Sequence, residues 1–237
     1  MDQRLPRHVQ VRDALMQRVV DRVWKAGEAL PGEGVLAAEF AVSVGTMRKA
    51  IQALVQEGVL ERLHGKGTFV TRAFERSSML RFVRFRGSEQ SGLPVARILA
   101  LRTETGEPGA RRSLGLAGAE KVLYLHRTRS YGDEVVLAEH IWLPLKRFPG
   151  LERHLRRESP ALLYPVYDAV CGVAVSRAVD ALSMGVLSPA DAALFGVDTA
   201  APCMRIERTM RDHGGTVVEW RVSYVPADRF HYTVEIR

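Results

Sequence analysis

Val11, Leu15, Val19 and Val23 recur every fourth residue, which predicts an amphipathic helix beginning near Pro6 with one side turned to a core. Glycines in the segment 27–34 break that helix, and a short one restarts over 33–40. Ala41 and Val42 then lead to Ser43, whose hydroxyl suits the N-cap of a third helix reaching to about 56. Along it Met47, Ile51, Leu54 and Val55 fall on one side, and Gly45, Arg48, Lys49 and Gln52 on the other. Beyond Gly58 the pattern becomes strand, turn, strand: 59–63, then His64, Gly65, Lys66 and Gly67, then 68–71.

Three helices and a hairpin in this order form a winged helix-turn-helix. Its capped third helix fits the major groove of B-DNA, and its wing tip reaches phosphate or the minor groove. The exposed side of that helix is small and basic, which makes double-stranded operator DNA the expected partner. Singly, Arg48 and Lys49 are what any solvated helix face carries, and Gly65-Lys66-Gly67 is an ordinary hairpin turn. Their spacing relative to one another is what points to DNA.

After residue 80 helical spacing gives way to alternation, with strands expected at 95–102, 121–130, 134–143, 173–184, 202–211, 216–225 and 230–236. Helices are expected at 112–118, 150–157, 160–171 and 188–195. Hairpin-linked strands with segregated helices predict an α+β domain on a mainly antiparallel sheet. The expected division is therefore a DNA-binding domain over 1–72, a polar linker over 73–80 and a second domain over 81–237.

Candidate chemistry in the second domain lies where charge interrupts an apolar face. Leu123, Leu125, Arg127 and Arg129 share one side of a strand, as do Val135, Leu137, Glu139, Ile141 and Leu143 on the next. A three-residue loop, Tyr131-Gly132-Asp133, would set Leu125 opposite Glu139 and Arg127 opposite Leu137. A two-residue loop would place the two sets on opposite faces; the odd count is favoured because it keeps both apolar stripes on the core side. Guanidinium forks beside a carboxylate in an apolar cleft suit an oxygen-rich anion, and equally suit an internal salt bridge.

Composition sharpens this little. The 237 residues are 46% apolar, enough for two domains with sizeable cores. Net charge is +7, but residues 1–75 hold 11 basic against 9 acidic side chains, +2 of it, so any DNA site is a local patch. Cys171 and Cys203 are too few and too distant for a disulfide framework or a zinc site, and they fit a reducing cytoplasm. No apolar run is long enough for a membrane span. Seven scattered histidines and the absence of HExxH, CxxC, Walker A, dinucleotide-glycine and GxSxG patterns lead to no expected metal, cofactor or catalytic residue. His64 and His140 read as a wing residue and a strand residue.

Residues 8–72 resemble the DNA-binding domain of the GntR family of bacterial regulators through LP at 30–31, Glu33, LAAEF at 36–40, VS at 42–43, GT at 45–46, RKAI at 48–51, EGVLER at 57–62 and GKGTFV at 65–70. The resemblance implies that Ser43, Gly45, Thr46, Arg48 and Lys49 face DNA, with His64, Gly65 and Lys66 at the wing tip. Gly34 and Val44 stand where the family usually carries arginine, which implies an operator outside its common consensus.

Residues 80–236 resemble the UTRA effector-binding domain of the HutC branch, with a chorismate-lyase-like fold, through HRTR at 126–129, VVLAE at 135–139, LFGV at 194–197, RIERTMRDHGGTVVEW at 205–220 and SYVPADRFHY at 223–232. It implies a ligand pocket lined by Arg127, Arg129, Glu139 and Glu219, with Tyr224 and Arg177 as further candidates. RFVRFRGSEQSG at 81–92 departs from the Ser-Phe element that many members use to close over the ligand. The expectation is a homodimeric repressor released from its operator by a sugar phosphate, phosphonate or carboxylate. A lyase-like enzyme and a DNA-binding protein without an effector are the alternatives.

Overall fold

Pro6, with its fixed φ and no N–H to satisfy, opens helix α1 (Arg7–Val20). In the computed structural model residues 6–71 and 94–230 are described, and the chain divides into two compact units. Within α1, Val11, Leu15 and Val19 are buried. Val23 is not part of that stripe: Arg22 turns the chain at φ 59°, Val23 is exposed, and Trp24 enters the core in its place. Helix α2 (Glu33–Glu39) buries Leu36 and Ala37, and α3 (Val44–Gln56) buries Met47, Ala50, Ile51 and Leu54. Strands β1 (Leu60–Leu63) and β2 (Gly67–Val70) pair antiparallel with Leu60 opposite Val70 and Leu63 opposite Gly67. Each fully buried leucine here contributes about 1.5–3 kcal/mol, so truncating Leu15 or Leu54 would open the helical core.

The second unit is a six-stranded antiparallel sheet in the order β3-β4-β5-β8-β7-β6. Its strands are β3 (Val95–Glu104), β4 (Val122–Tyr131), β5 (Glu134–Pro144), β6 (Val175–Val186), β7 (Pro202–Asp212) and β8 (Val217–Pro226). Its helices are α4 (Pro108–Leu114), α5 (Leu151–Leu155), α6 (Tyr164–Cys171) and α7 (Pro189–Phe195). The α+β architecture matches expectation, while individual bounds move. The helix expected over 112–118 starts earlier because Pro108 begins it, and Gly115 ends it in the left-handed conformation at φ 63°. The linker expected at 73–80 and all but the first residue of the strand expected at 230–236 lie outside the described residues.

The β4–β5 hairpin corrects the expected register. Tyr131 pairs with Glu134, so the loop is two residues, Gly132 and Asp133. A bulge between Arg129 and Ser130 absorbs one extra residue on β5 and restores parity from Leu137 onward, so Leu137, Glu139, Ile141 and Leu143 share the face of Leu123, Leu125, Arg127 and Arg129, whereas Val135, expected on that stripe, pairs with Ser130 and packs on the reverse face with Ala138. Pairing is shifted by two relative to expectation: Arg127 faces Glu139, Leu125 faces Ile141 and Arg129 faces Leu137. On β8, Ser223 opposes Glu139 and Arg221 opposes Ile141, so Arg221 shares that face. Tyr124, His126, Trp142, His140, Trp220 and Tyr224 occupy the reverse face, where α4 and α7 pack.

Candidate DNA-reading surface and effector site

At the start of α3 the Ser43 hydroxyl accepts the Thr46 backbone N–H at 3.2 Å, and the two hydroxyls share a hydrogen bond at 2.9 Å. Ser43 therefore caps the helix and aims Thr46. Gly45, Arg48 and Lys49 are exposed beside them. Glu33 braces this surface: it accepts from Arg48 Nε at 2.8 Å and from Arg62 Nη2 at 2.7 Å, tying α2 to both α3 and β1. Val44 is exposed at the first helical position, and a side chain at Gly34 would meet open space, so neither is a core substitution. His64, Gly65 and Lys66 form the exposed wing loop, closed by the Lys66 N–H donating to the Leu63 carbonyl at 2.9 Å. Gly65 has φ 71°, in the left-handed region that favours glycine.

In the sheet, β4, β5 and β8 bring together Arg127, Arg129, Glu139, Glu219 and Arg221, all buried. Glu139 Oε2 accepts from Arg127 Nε at 2.6 Å and Arg129 Nε at 3.0 Å, and its Oε1 accepts from Arg221 Nη1 at 2.6 Å. Burial alone would raise its pKa, but the Arg127, Arg221 and Arg129 guanidiniums hold it well below the usual carboxylate range. Glu219 lies 2.8 Å from Arg221 Nη2 and accepts from the Tyr167 hydroxyl at 2.6 Å. Burial, then the Glu219 charge, push that phenol well above its usual value, so Tyr167 remains a donor. Arg127 Nη1 also reaches the Pro160 carbonyl at 3.3 Å.

Both oxygens of Glu139 are thus occupied by arginines, so the carboxylate organises them instead of standing open to a ligand. Among the described residues four buried guanidinium nitrogens make no hydrogen bond: Arg221 Nη2, which has only its ion pair with Glu219 Oε1, itself without a hydrogen bond, and Arg127 Nη2, Arg129 Nη1 and Arg221 Nε, for which no acceptor stands in reach. Three arginines against two glutamates leave this network one positive charge in excess. Its chemistry is that of an oxyanion cradle, with fixed donors in a low-dielectric setting.

Two expected residues are not brought here. Tyr224 is on the reverse face, its ring centroid 5.8 Å from that of His140. Arg177 is exposed on β6, whose Asp180 instead holds Arg208 in a two-pronged pair at 2.6 Å on each prong. Arg221 and Tyr167 were missed. Arg221 was legible from strand alternation with Glu219; Tyr167 arrives from α6 by tertiary packing and leaves no local signal.

Comparison with known proteins decides the family. Residues 7–70 match "Bacterial regulatory proteins, gntR family", and residues 89–231, more than half the chain, match the UTRA domain. The chain belongs to the GntR family, in its UTRA-containing branch. This GntR-family chain is 29% identical over 231 residues to the HTH-type transcriptional repressor PhnF of Mycolicibacterium smegmatis, covering 97% of this chain and 92% of that one. It is 25% identical over 231 residues to the HTH-type transcriptional repressor NagR of Bacillus subtilis, covering 96% and 93%. Among solved structures, the ligand-binding domain of a GntR-family regulator from Bordetella bronchiseptica aligns at TM-score 0.58 and 29% identity, covering 66% of this chain and 98% of that one. Members of this family are transcription regulators, so the sheet domain of this GntR-family chain senses a ligand and is not a lyase. Among the described residues, no helix is long and apolar enough to cross a membrane.

Proposed function

We propose that this GntR-family regulator is a homodimeric repressor that leaves its operator when a small oxyanion-bearing metabolite, a sugar phosphate, phosphonate or carboxylate, enters the arginine network. One observation carries the effector class: three buried guanidinium atoms point N–H groups at no acceptor, inside a network with a surplus positive charge. An unmade buried hydrogen bond costs about 1–3 kcal/mol, so three of them favour an arriving oxyanion strongly. Relatives named as repressors support the sign of regulation. The dimer is supported by β6, a sheet edge with Val179, Leu182, Met184 and Val186 exposed.

The proposed contacts are Ser43, Gly45, Thr46, Arg48, Lys49, His64, Gly65 and Lys66 to DNA, and Arg127, Arg129 and Arg221 to the anion. An effector that binds one arrangement of the two domains better than another shifts the population away from DNA, with a typical coupling of about 1–3 kcal/mol. The test is operator release. Fluorescence anisotropy on DNA from the upstream region of this gene is followed while sugar phosphates, phosphonates and carboxylates are added. The variant Arg127→Ala with Glu139→Ala should bind the DNA and no longer release it with the compound that releases the parent. Unchanged release would refute the pocket, and sedimentation as a monomer with full operator affinity would refute the dimer.

A further inference from the structure

On the reverse face of the same sheet, His126 and His140 sit directly opposite one another on β4 and β5. Their rings stack with centroids 4.2 Å apart. Asp191 comes from the first turn of α7, where Ser188 Oγ caps the helix and holds Asp191 Oδ2 at 2.6 Å. That leaves Oδ1 aimed at both imidazoles, 3.2 Å from His140 Nε2 and 3.6 Å from His126 Nε2. One oxygen therefore faces two ring nitrogens, and His126 Nε2 is buried with no hydrogen-bond partner.

We propose that His126, His140 and Asp191 form a site for a divalent transition-metal ion, with zinc the best match to two imidazoles and a carboxylate. The three ligand atoms lie within 4.8 Å of one another. Zinc bonds of about 2.0–2.2 Å at tetrahedral angles place ligand atoms about 3.3–3.5 Å apart, so both nitrogen–oxygen separations are already close to that spacing. His140 is already held in place by its other nitrogen. Its Nδ1 pairs with the Tyr124 hydroxyl at 2.7 Å, the outer contact that fixes the tautomer and orientation of a metal-bound imidazole. Burial pushes that phenol up to about 12, so it stays neutral.

Cofacial rings cannot both direct in-plane lone pairs at one ion, so one ring has to turn. His126 is that ring, because no hydrogen bond holds its Nε2. The histidine side chains remain 15% and 18% exposed, which leaves an approach for the ion and for solvent to supply its fourth ligand. The absence of a sequence motif is explained by topology: Asp191 is remote in the chain, and only the sheet register sets His126 opposite His140. The site is independent of the effector reading, since it uses other residues on the other face.

The test uses the full-length, untagged protein stripped of metal with a chelator, titrated calorimetrically with Zn2+ and spectroscopically with Co2+. The parent should bind one equivalent, show the visible absorption of tetrahedral Co2+, and melt at a higher temperature with Zn2+ present. His126→Gln removes a side chain whose Nε2 makes no hydrogen bond and should leave operator binding intact. It and Asp191→Asn should weaken Zn2+ binding by more than about tenfold, the least that loss of an outer contact alone causes. No binding by the parent, or equal binding by the parent and both variants, would overturn the assignment.

Discussion

Replacing Glu139 by Gln tests the electrostatic logic of the proposed anion site most directly. The substitution keeps shape but leaves Arg127, Arg129 and Arg221 around a neutral amide, so the buried network goes from one surplus positive charge to two. Removing one partner from a buried charged group costs about 3–5 kcal/mol. At roughly 2–4 °C per kcal/mol for a protein of this size, the melting temperature should fall by about 6–20 °C. The loss should be largest near neutral pH. A carboxylate with a depressed folded pKa stabilises above its unfolded value of about 4.3, and that stabilisation disappears as pH falls through the folded value. Parent and variant should therefore converge in acid. Sulfate or phosphate should restore more stability to the variant than to the parent, because it replaces the missing charge. Differential scanning fluorimetry across pH and anion concentration measures all three effects. A melting point within a degree of the parent, with no selective rescue, would show that Glu139 does not hold the arginines together.

Three further outcomes are expected at the DNA-reading surface. Ser43→Ala removes the cap of α3 and should lower stability by about 0.5–2 kcal/mol, measured by urea unfolding, with a matching drop in operator affinity. Lys66→Ala should weaken binding to all DNA sequences alike and reduce the slope of log affinity against log salt by about 0.9 for each wing on a phosphate. Val44→Arg should change base preference at one position per half-site in a selection from random DNA, with about 1–3 kcal/mol of new discrimination if the fork reaches a guanine. An unchanged preference would show that position 44 does not face the bases.

How much of this was legible in the chain depends on the range of the interactions. The winged unit could be read almost entirely, because helix periodicity, the Ser43 cap and the wing glycines act between near neighbours. Val23 misled because a stripe extrapolated by spacing does not know where the helix ends. In the sheet, parity came through and pairing did not: an apolar stripe fixes which side faces the core, whereas the bulge after Arg129 depends on how β4 and β5 meet. Tyr224 could have been excluded from the pocket by counting, since it lies five positions beyond Glu219 and odd offsets alternate faces. Arg177 follows the side of Val175 as expected, but on an edge strand that side runs out of core to cover it.

The sheet domain carries its own control for telling an effector site from a structural salt bridge. Arg208 and Asp180 form a closed pair, two charges and two short hydrogen bonds, with no surplus donor. The Tyr164 hydroxyl stands 3.5 Å from the remaining arm of Arg208. The network around Glu139 is built otherwise: three guanidiniums share one carboxylate, Glu219 divides its oxygens between Arg221 and Tyr167, and donors are left over. A network serving stability alone gains from a second acceptor there, since each orphaned N–H costs free energy. Under the proposed function, leaving those donors unmet makes the ligand-free domain less stable than it could be, by an amount that a bound oxyanion would recover. Differential stability of this kind is what a sensor requires, because a ligand shifts an equilibrium only by the free energy with which it distinguishes the two states.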